Sequence, residues 1–462
     1  MSTERKQGNN DVESVNPYTG AVLKRYPAFD LTLLDAVLRG SREAQQAWQQ
    51  TGFDRRSEVL RRLAAVLRKN LKRLAELATL EMGKPISSAE AEIEKCAAAC
   101  EYYAEHGPTM LADEPVGSDD AAERFVSYQP LGVVLAIMPW NFPYWQVFRF
   151  LAPALMAGNA AILKHASNVP GCALAIEEMC QEAGVPDGLL RALLVSSKDA
   201  ETLIAHPLIS AVTFTGSTEA GRRVAACAGH HLKKTVLELG GSDAYLVLDD
   251  ADLELAVEKC VTSRLLNNGQ SCIAAKRFIV HQSLYGDFVA AMAAAMNKKT
   301  LGDPLDPDVE VGPLARPDLK DDLLEQVNES IRLGAVLVCG GEADNAVFRP
   351  TVLSEVRPGM PAFDDELFGP VAAVIRAHSE EEALALANQS AFGLGAGVFT
   401  RDIERGRRIA LALEAGAVAV NDFVRSDPQM PFGGIKASGY GRELASYGPR
   451  EFTNIKAVVL MP

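Results

Sequence analysis

Short apolar runs alternate with longer segments of helical period along most of this chain, and that alternation limits the folds open to it. Residues 131–138, 160–164, 211–214 and 235–239 read as strands, with helices over 149–156 and 172–183 between them. Another helix opens at the turn Gly216-Ser217-Thr218-Glu219-Ala220-Gly221. A second alternating run follows. Its helices cover 253–266, 282–299, 318–334, 380–389 and 402–414; its strands cover 277–280, 336–339, 372–377, 397–400 and 418–421. Strands that return through helices lie parallel, so the expected class is α/β, with parallel sheets covered by helices. Ligands of such sheets bind outside the carboxyl ends of the strands.

The polar start, up to about Asn16, reads as loose. Asn16-Pro17-Tyr18-Thr19-Gly20 is a turn before a strand over 21–26. A helix over 31–50 precedes a second from about Asp54, which carries Leu60, Leu63, Leu67, Leu71, Leu74 and Leu77 and ends at Gly83 and Pro85. A third helix covers 88–106. Residues 123–127 read as a short edge strand, 302–317 as a loop, and 457–460 as a final strand at an intersubunit edge.

The length of 462 residues suits about two to four domains. A formal net charge of −14 argues against nucleic acid as partner, since phosphate binding needs a basic face. A small anionic substrate remains compatible if its pocket is locally positive. The eight cysteines are scattered, and no CxxC pair or His/Cys cluster has zinc spacing, so no metal is expected. Buried reduced thiols in a cytoplasmic protein account for most of them. The first ten residues are polar and lack the apolar core of a secretory signal. The longest apolar run, 131–140, is too short to span a bilayer, so no membrane is expected as partner.

Several residues carry chemistry. Cys272 closes the polar stretch Asn267-Asn268-Gly269-Gln270-Ser271-Cys272, and Glu238 stands alone in Leu237-Glu238-Leu239-Gly240-Gly241. A thiol nucleophile and a carboxylate base suit covalent catalysis; a buried inert thiol is the alternative. Asn141, in the rigid turn Pro139-Trp140-Asn141-Phe142-Pro143, suits an oxyanion donor beside the Cys272 N–H, or an Asx turn. The turn from Gly216 to Gly221 suits a phosphate at a helix start, though it is not GxGxxG and an ordinary capped turn fits equally. Lys164, at a strand end, suits ribose or a 2′-phosphate, or plain solvent. Glu366-Leu367-Phe368-Gly369-Pro370 offers a carboxylate for a ribose and a ring to face a nicotinamide.

Taken in order, these pieces resemble the aldehyde dehydrogenase superfamily over nearly the whole chain. They are PWNFP at 139–143, the Lys164 strand end, FTGSTEAG at 214–221, LELGG at 237–241, NNGQSC at 267–272, ELFGP at 366–370 and PFGG at 431–434. Within the superfamily the chain resembles the short bacterial succinate-semialdehyde dehydrogenases. The resemblance implies a Rossmann-like cofactor domain at 1–120 and 139–238 and a second α/β catalytic domain at 239–430. It also implies a small β projection for oligomerisation, from 121–138 and 431–462, and a homodimer or homotetramer.

The resemblance further implies roles. Cys272 adds to the aldehyde, Asn141 and the Cys272 N–H hold the oxyanion, and Glu238 activates the water that hydrolyses the thioester. Trp140, Lys164, Ser167, Gly216, Ser217, Gly221, Glu366 and Phe368 are the implied contacts to NAD or NADP. Many NAD-preferring members carry Glu where this chain has Ser167; without a carboxylate to repel the 2′-phosphate, NADP is expected to be accepted. Arg149 and Ser426 match substrate-carboxylate contacts of long-chain relatives. Their second arginine position is Leu266 here, and Arg264, two residues earlier, is the expected substitute, with Arg425 beside Ser426. The expected reaction is oxidation of succinate semialdehyde to succinate. Rivals are another semialdehyde or a broad aldehyde range, a CoA-acylating enzyme (disfavoured by Glu238), and a non-catalytic protein on the same fold.

Overall fold

A computed structural model of the chain describes residues 11–119 and 122–461. The expectations for residues 1–10 lie outside the described residues, as do positions 120, 121 and 462 of the domain ranges.

Two sheets dominate. The first has six strands in the order Gly439–Tyr440, Lys234–Glu238, Ile209–Thr215, Val133–Met138, Ala160–His165, Leu190–Ala192. All pairs are parallel except the first. The chain runs from Val133–Met138 to Ala160–His165 on one side and later returns to Ile209–Thr215 on the other, so the strand order reverses there and opens a crevice at the carboxyl edge. The second sheet has seven strands in the order Val336–Cys339, Thr351–Ser354, Val371–Ala377, Ala275–His281, Asp243–Val247, Gly395–Phe399, Ala417–Val420. Period-two alternation puts Ala244 and Leu246 in one hydrophobic layer and Tyr245 and Val247 in the other, so both faces are covered.

The third sheet is small and antiparallel, ordered Thr453–Leu460, Ala122–Pro130, Glu114–Asp119. This corrects two expectations. The run 121–138 is not one unit, because Val133–Met138 is buried at every residue and lies inside the six-stranded sheet. A continuous apolar strand needs cover on both faces, which a small projecting sheet does not supply. The strand over 123–127 is central, not an edge, since it pairs on both sides. Likewise Gly439–Tyr440, within 431–462, joins the six-stranded sheet.

Other departures are local. Val12–Val15, expected to be loose, pairs antiparallel with Val22–Tyr26. Asn16 Oδ1 accepts the N–H groups of Tyr18 and Thr19 and closes the turn between them. The long leucine-rich helix is two, Phe53–Lys69 and Leu71–Met82. They part at Asn70, whose backbone leaves the helical region at φ −101° and ψ 9° and whose side-chain amide also donates to the Val66 carbonyl. The strand Asp243–Val247, central in its sheet, was not expected. Among the described residues no helix is long and apolar enough to cross a membrane.

One buried carboxylate ties the helical layer to the first sheet. Glu92, on the helix Ile86–Met110, pairs with the fully buried Lys84. Its other oxygen accepts the N–H groups of Tyr144 and Trp145, each at 2.8 Å. These open the helix Trp145–Ala157, which has no side-chain cap of its own. Glu92 therefore supplies both the missing acceptor and a negative charge at the positive helix end. Glu92→Ala leaves Lys84 buried without its counter-charge, so the expected destabilisation is about 3–5 kcal/mol. A lowered urea midpoint at unchanged slope is the readout, and an unshifted midpoint would refute the role.

Candidate active site

Cys272 comes from the second sheet and meets groups of the first. The helix Leu253–Leu265 ends, and Asn267 and Asn268 follow at φ of 57° and 59°. Asparagine tolerates this left-handed region better than most side-chain-bearing residues. Both side chains are spent on holding the kink. Asn268 Nδ2 donates to the Gly83 and Pro313 carbonyls at 2.9 and 3.0 Å, and its Oδ1 accepts the Gly312 N–H at 2.9 Å. Asn267 Nδ2 donates to the Asn141 carbonyl at 2.7 Å, and Asn141 Nδ2 donates to the Gln270 carbonyl at 3.1 Å. The thiol stretch and the Pro139–Pro143 turn are thus clasped reciprocally. Behind Cys272, the Lys276 ammonium is buried and donates to the carbonyls of Ser271, Cys272 and Ala274.

Cys272 lines a cavity of about 530 Å³ together with Phe142, Trp145, Arg149, Ser426 and Phe432. Desolvation pushes its thiol up to about 12, against the nearby Arg149 and Lys276 charges. Burial thus favours the neutral thiol, whose proton must leave before the sulfur attacks a carbonyl. Glu238, at the carboxyl end of its strand, is 2% exposed. Among the described residues neither of its carboxylate oxygens has a hydrogen-bond partner, which leaves both free to take a donor such as water. Desolvation raises its pKa well above the usual carboxylate range; the Arg149 charge opposes this and the Glu443 charge adds to it. Arg149 is 1% exposed, paired with Glu443, and stacked on the Phe432 ring at 4.6 Å.

The carboxyl edge of the first sheet holds most of the expected cofactor contacts. Lys164 ends one strand there, and its ammonium donates to the His165 carbonyl at 3.3 Å. His165 is held neutral: its Nδ1 accepts the Ala166 N–H and its Nε2 donates to the Pro143 carbonyl, while burial pulls its pKa to about 4. Ser167 follows, exposed. Ser217 caps the helix Thr218–His230 by accepting the Ala220 N–H at 3.4 Å. A Cβ on Gly221 would run into Leu239 and one on Gly216 into the Phe214 ring, so both glycines serve close helix–sheet packing. From the second sheet, Glu366 accepts the Gly241 N–H at 3.1 Å and pairs with Lys276 at 3.3 Å. Phe368 lies edge-on to Trp140 with ring centroids 5.8 Å apart.

These observations fit a dinucleotide. The first N–H groups of an α-helix lack partners within the helix, and this one starts just after the carboxyl end of the strand Ile209–Thr215, at the same sheet edge as Lys164. A carboxylate for ribose and two aromatic rings complete the set.

Arg264 is corrected. It is fully buried, does not line the cavity, and donates from Nη2 to the Gly269 carbonyl at 2.6 Å. It braces the kink and is not placed to touch substrate. Arg425 stacks on Phe423 and pairs with Asp422 at the cavity mouth.

The family model for the aldehyde dehydrogenase family matches residues 3–458. This chain belongs to that family. A Synechocystis sp. protein named probable succinate-semialdehyde dehydrogenase (NADP+) is 47% identical over 450 residues, covering 97% of this chain and 99% of its own. Succinate-semialdehyde dehydrogenase (NADP+) 1 of Mycobacterium tuberculosis is 46% identical over 452 residues, covering 97% and 99%. Among solved structures, the succinic semialdehyde dehydrogenase of Streptococcus pyogenes, in complex with NADP+, has a TM-score of 0.95 at 36% identity, covering 98% of this chain and 100% of that one.

For this aldehyde dehydrogenase, sequence reasoning passed over Lys95, Lys276, Glu443 and Trp145. Only Lys276 left a signal, as a lysine amid the apolar run Ile273-Ala274-Ala275 and Phe278-Ile279-Val280. A carboxylate can act as a base only when ionised, and burial raises the pKa of Glu238. Any step in which Glu238 takes a proton is therefore expected to be full above that pKa and to fall as pH drops through it. Glu238→Gln should show a rapid NAD(P)H burst matching the site concentration, then turnover slower by about a hundredfold or more. A burst-free trace with the wild-type pH profile would exclude this role.

Proposed function

We propose that this aldehyde dehydrogenase oxidises succinate semialdehyde to succinate and accepts NADP. The observation that carries the reading is the cavity: Cys272 shares it with Ser426 and three cations, Lys95, Arg149 and Arg425, against two carboxylates, Glu92 and Asp427, in a chain of net charge −14. A locally positive pocket in an acidic protein suits a small anion. The names of the relatives point to the same aldehyde and cofactor.

The chemistry follows from the residues. The Cys272 thiol gives its proton to solvent water and adds as the thiolate to the aldehyde carbon. The oxyanion of the resulting thiohemiacetal is met by the Asn141 amide and the Cys272 N–H. Asn141 has a second N–H for this while its first stays on the Gln270 carbonyl. When bound, the nicotinamide cofactor supplies the hydride acceptor. Oxidation leaves a thioester on Cys272, and Glu238 deprotonates the water that hydrolyses it. A carboxylate base at this position supports hydrolysis over transfer to CoA.

Further parts of the reading concern the whole molecule. The six-stranded sheet serves the cofactor and the seven-stranded sheet carries the nucleophile. The eight free thiols support a cytoplasmic setting. The outer edge of Thr453–Leu460, with Ile455, Val459 and Leu460 exposed, supports a homodimer or homotetramer paired through that strand.

Two assays test the reading. kcat/KM for succinate semialdehyde is expected to exceed that for butanal by at least about tenfold, or 1.4 kcal/mol; equal values would sink the anionic-substrate reading. Ser167→Glu places a negative charge where the 2′-phosphate would lie, and should lower kcat/KM for NADP by about tenfold or more while sparing NAD. An unchanged ratio would remove Ser167 from cofactor choice.

A further inference from the structure

Lys95 stands on the helix Ile86–Met110, one turn after Glu92, and lines the cavity that holds Cys272. Its ammonium donates to Ser426 Oγ at 2.7 Å and lies 4.2 Å from the centre of the Trp145 ring. Trp145 Nε1 donates to the same oxygen at 2.9 Å. A serine hydroxyl has two acceptor sites and one donor. Both acceptor sites of Ser426 are used, so its own proton is left to donate. Lys95 has two further N–H groups. The cluster is therefore made of donors alone, which is what a carboxylate needs.

The neighbouring cations are already committed. Lys84 pairs with Glu92, Arg149 with Glu443, and Arg425 with Asp422. Arg264 is turned to the Gly269 carbonyl. Lys95, by contrast, has no carboxylate in an ion pair among the described residues. Its charge is kept at a cost: burial, with the Arg149 charge adding, pulls its pKa down to about 8, while Cys96, Glu92 and Asp427 act the other way. An anionic ligand would offset that cost.

We propose that Lys95, working with the Ser426 hydroxyl, binds the carboxylate of the aldehyde substrate and so sets the specificity for semialdehyde acids. This rests on the anionic-substrate reading given above. Lys95 takes the place of the second arginine that Leu266 denies and Arg264 does not supply. Arg149 acts as framework, held by Glu443.

The test compares wild type, Lys95→Met and Lys95→Arg, each with succinate semialdehyde and with butanal. Lys95→Met keeps the apolar stem and is expected to raise KM for succinate semialdehyde by about tenfold to a hundredfold, with kcat little changed and butanal kinetics unaffected. Lys95→Arg should restore part of the loss. A melting temperature and butanal kcat at the wild-type level show that the fold is intact. Equal losses on both aldehydes, or undiminished preference in Lys95→Met, would overturn the role of Lys95 while leaving the functional reading in place. A wild-type enzyme with no preference would overturn the functional reading and this proposal together. As a readout without turnover, calorimetric titration with succinate should detect binding to wild type and none to Lys95→Met at the same concentration.

Discussion

Two asparagine amides exchange hydrogen bonds across the two sheets, and the reactive geometry depends on that exchange. Asn267 donates to the Asn141 carbonyl, and Asn141 donates to the Gln270 carbonyl. One residue belongs to the thiol stretch and the other to the turn after the strand Val133–Met138. Both are buried, so losing either partner would strand a polar group at a cost of about 1–3 kcal/mol. The price of this clasp is paid in backbone conformation, since Asn267 and Asn268 must both sit at positive φ. Arg264, Lys276 and Asn268 then hold the kink by binding its carbonyls and those of its neighbours. Side chains fixing backbone oxygens make this a rigid platform, although its residues are small and polar.

Electrostatics inside the cavity follow from burial more than from charge count. Cys272 and Glu238 are both biased toward their neutral forms by desolvation, and Arg149 pulls both the other way. The same arginine is balanced by Glu443, which in turn works against ionisation of Glu238. The Glu238 and Glu443 carboxyls, both raised by burial, share the Arg149 charge, so ionising one disfavours ionising the other. A thiol that stays protonated until a carbonyl and a base are at hand is protected from idle oxidation.

Much of this was legible in the sequence, and the failures have physical causes. Buried parallel strands announce themselves as continuous apolar runs, which is how 160–164 and 211–214 could be placed. The apolar run over 244–248 has the same character but follows Gly240-Gly241-Ser242-Asp243 directly, with no helix between it and the preceding strand, so the alternation skipped it. Arg264 was misplaced because helical spacing was carried past residue 266. Two consecutive positive φ values end that phase, and a side chain two turns before Cys272 on paper points to Gly269 in space. Lys95 was invisible for another reason. A lysine on an amphipathic helix reads as solvated unless the surface that covers it is known, and here the cover is the segment bearing Val424 and Ser426, more than three hundred residues later.

Chemistry and recognition are therefore carried by separate parts of the chain. The groups proposed to react, Cys272, Glu238 and Asn141, are held by backbone hydrogen bonds and by strand ends. The other walls of the cavity come from the helix Ile86–Met110, the start of the helix Trp145–Ala157 and the loop around Ser426. Glu92 links the first two of these, because its carboxylate fixes the N–H groups of Tyr144 and Trp145 one helical turn before Lys95. A change at Lys95 or Ser426 alters charge and donors on the wall without touching a hydrogen bond of the thiol stretch. A change at Glu92 moves the wall itself, along with Arg149 and the cation pair it anchors. Substrate range is thus adjustable at the first pair of positions, and the common architecture of thiol, base and oxyanion donor is exposed to damage at the third.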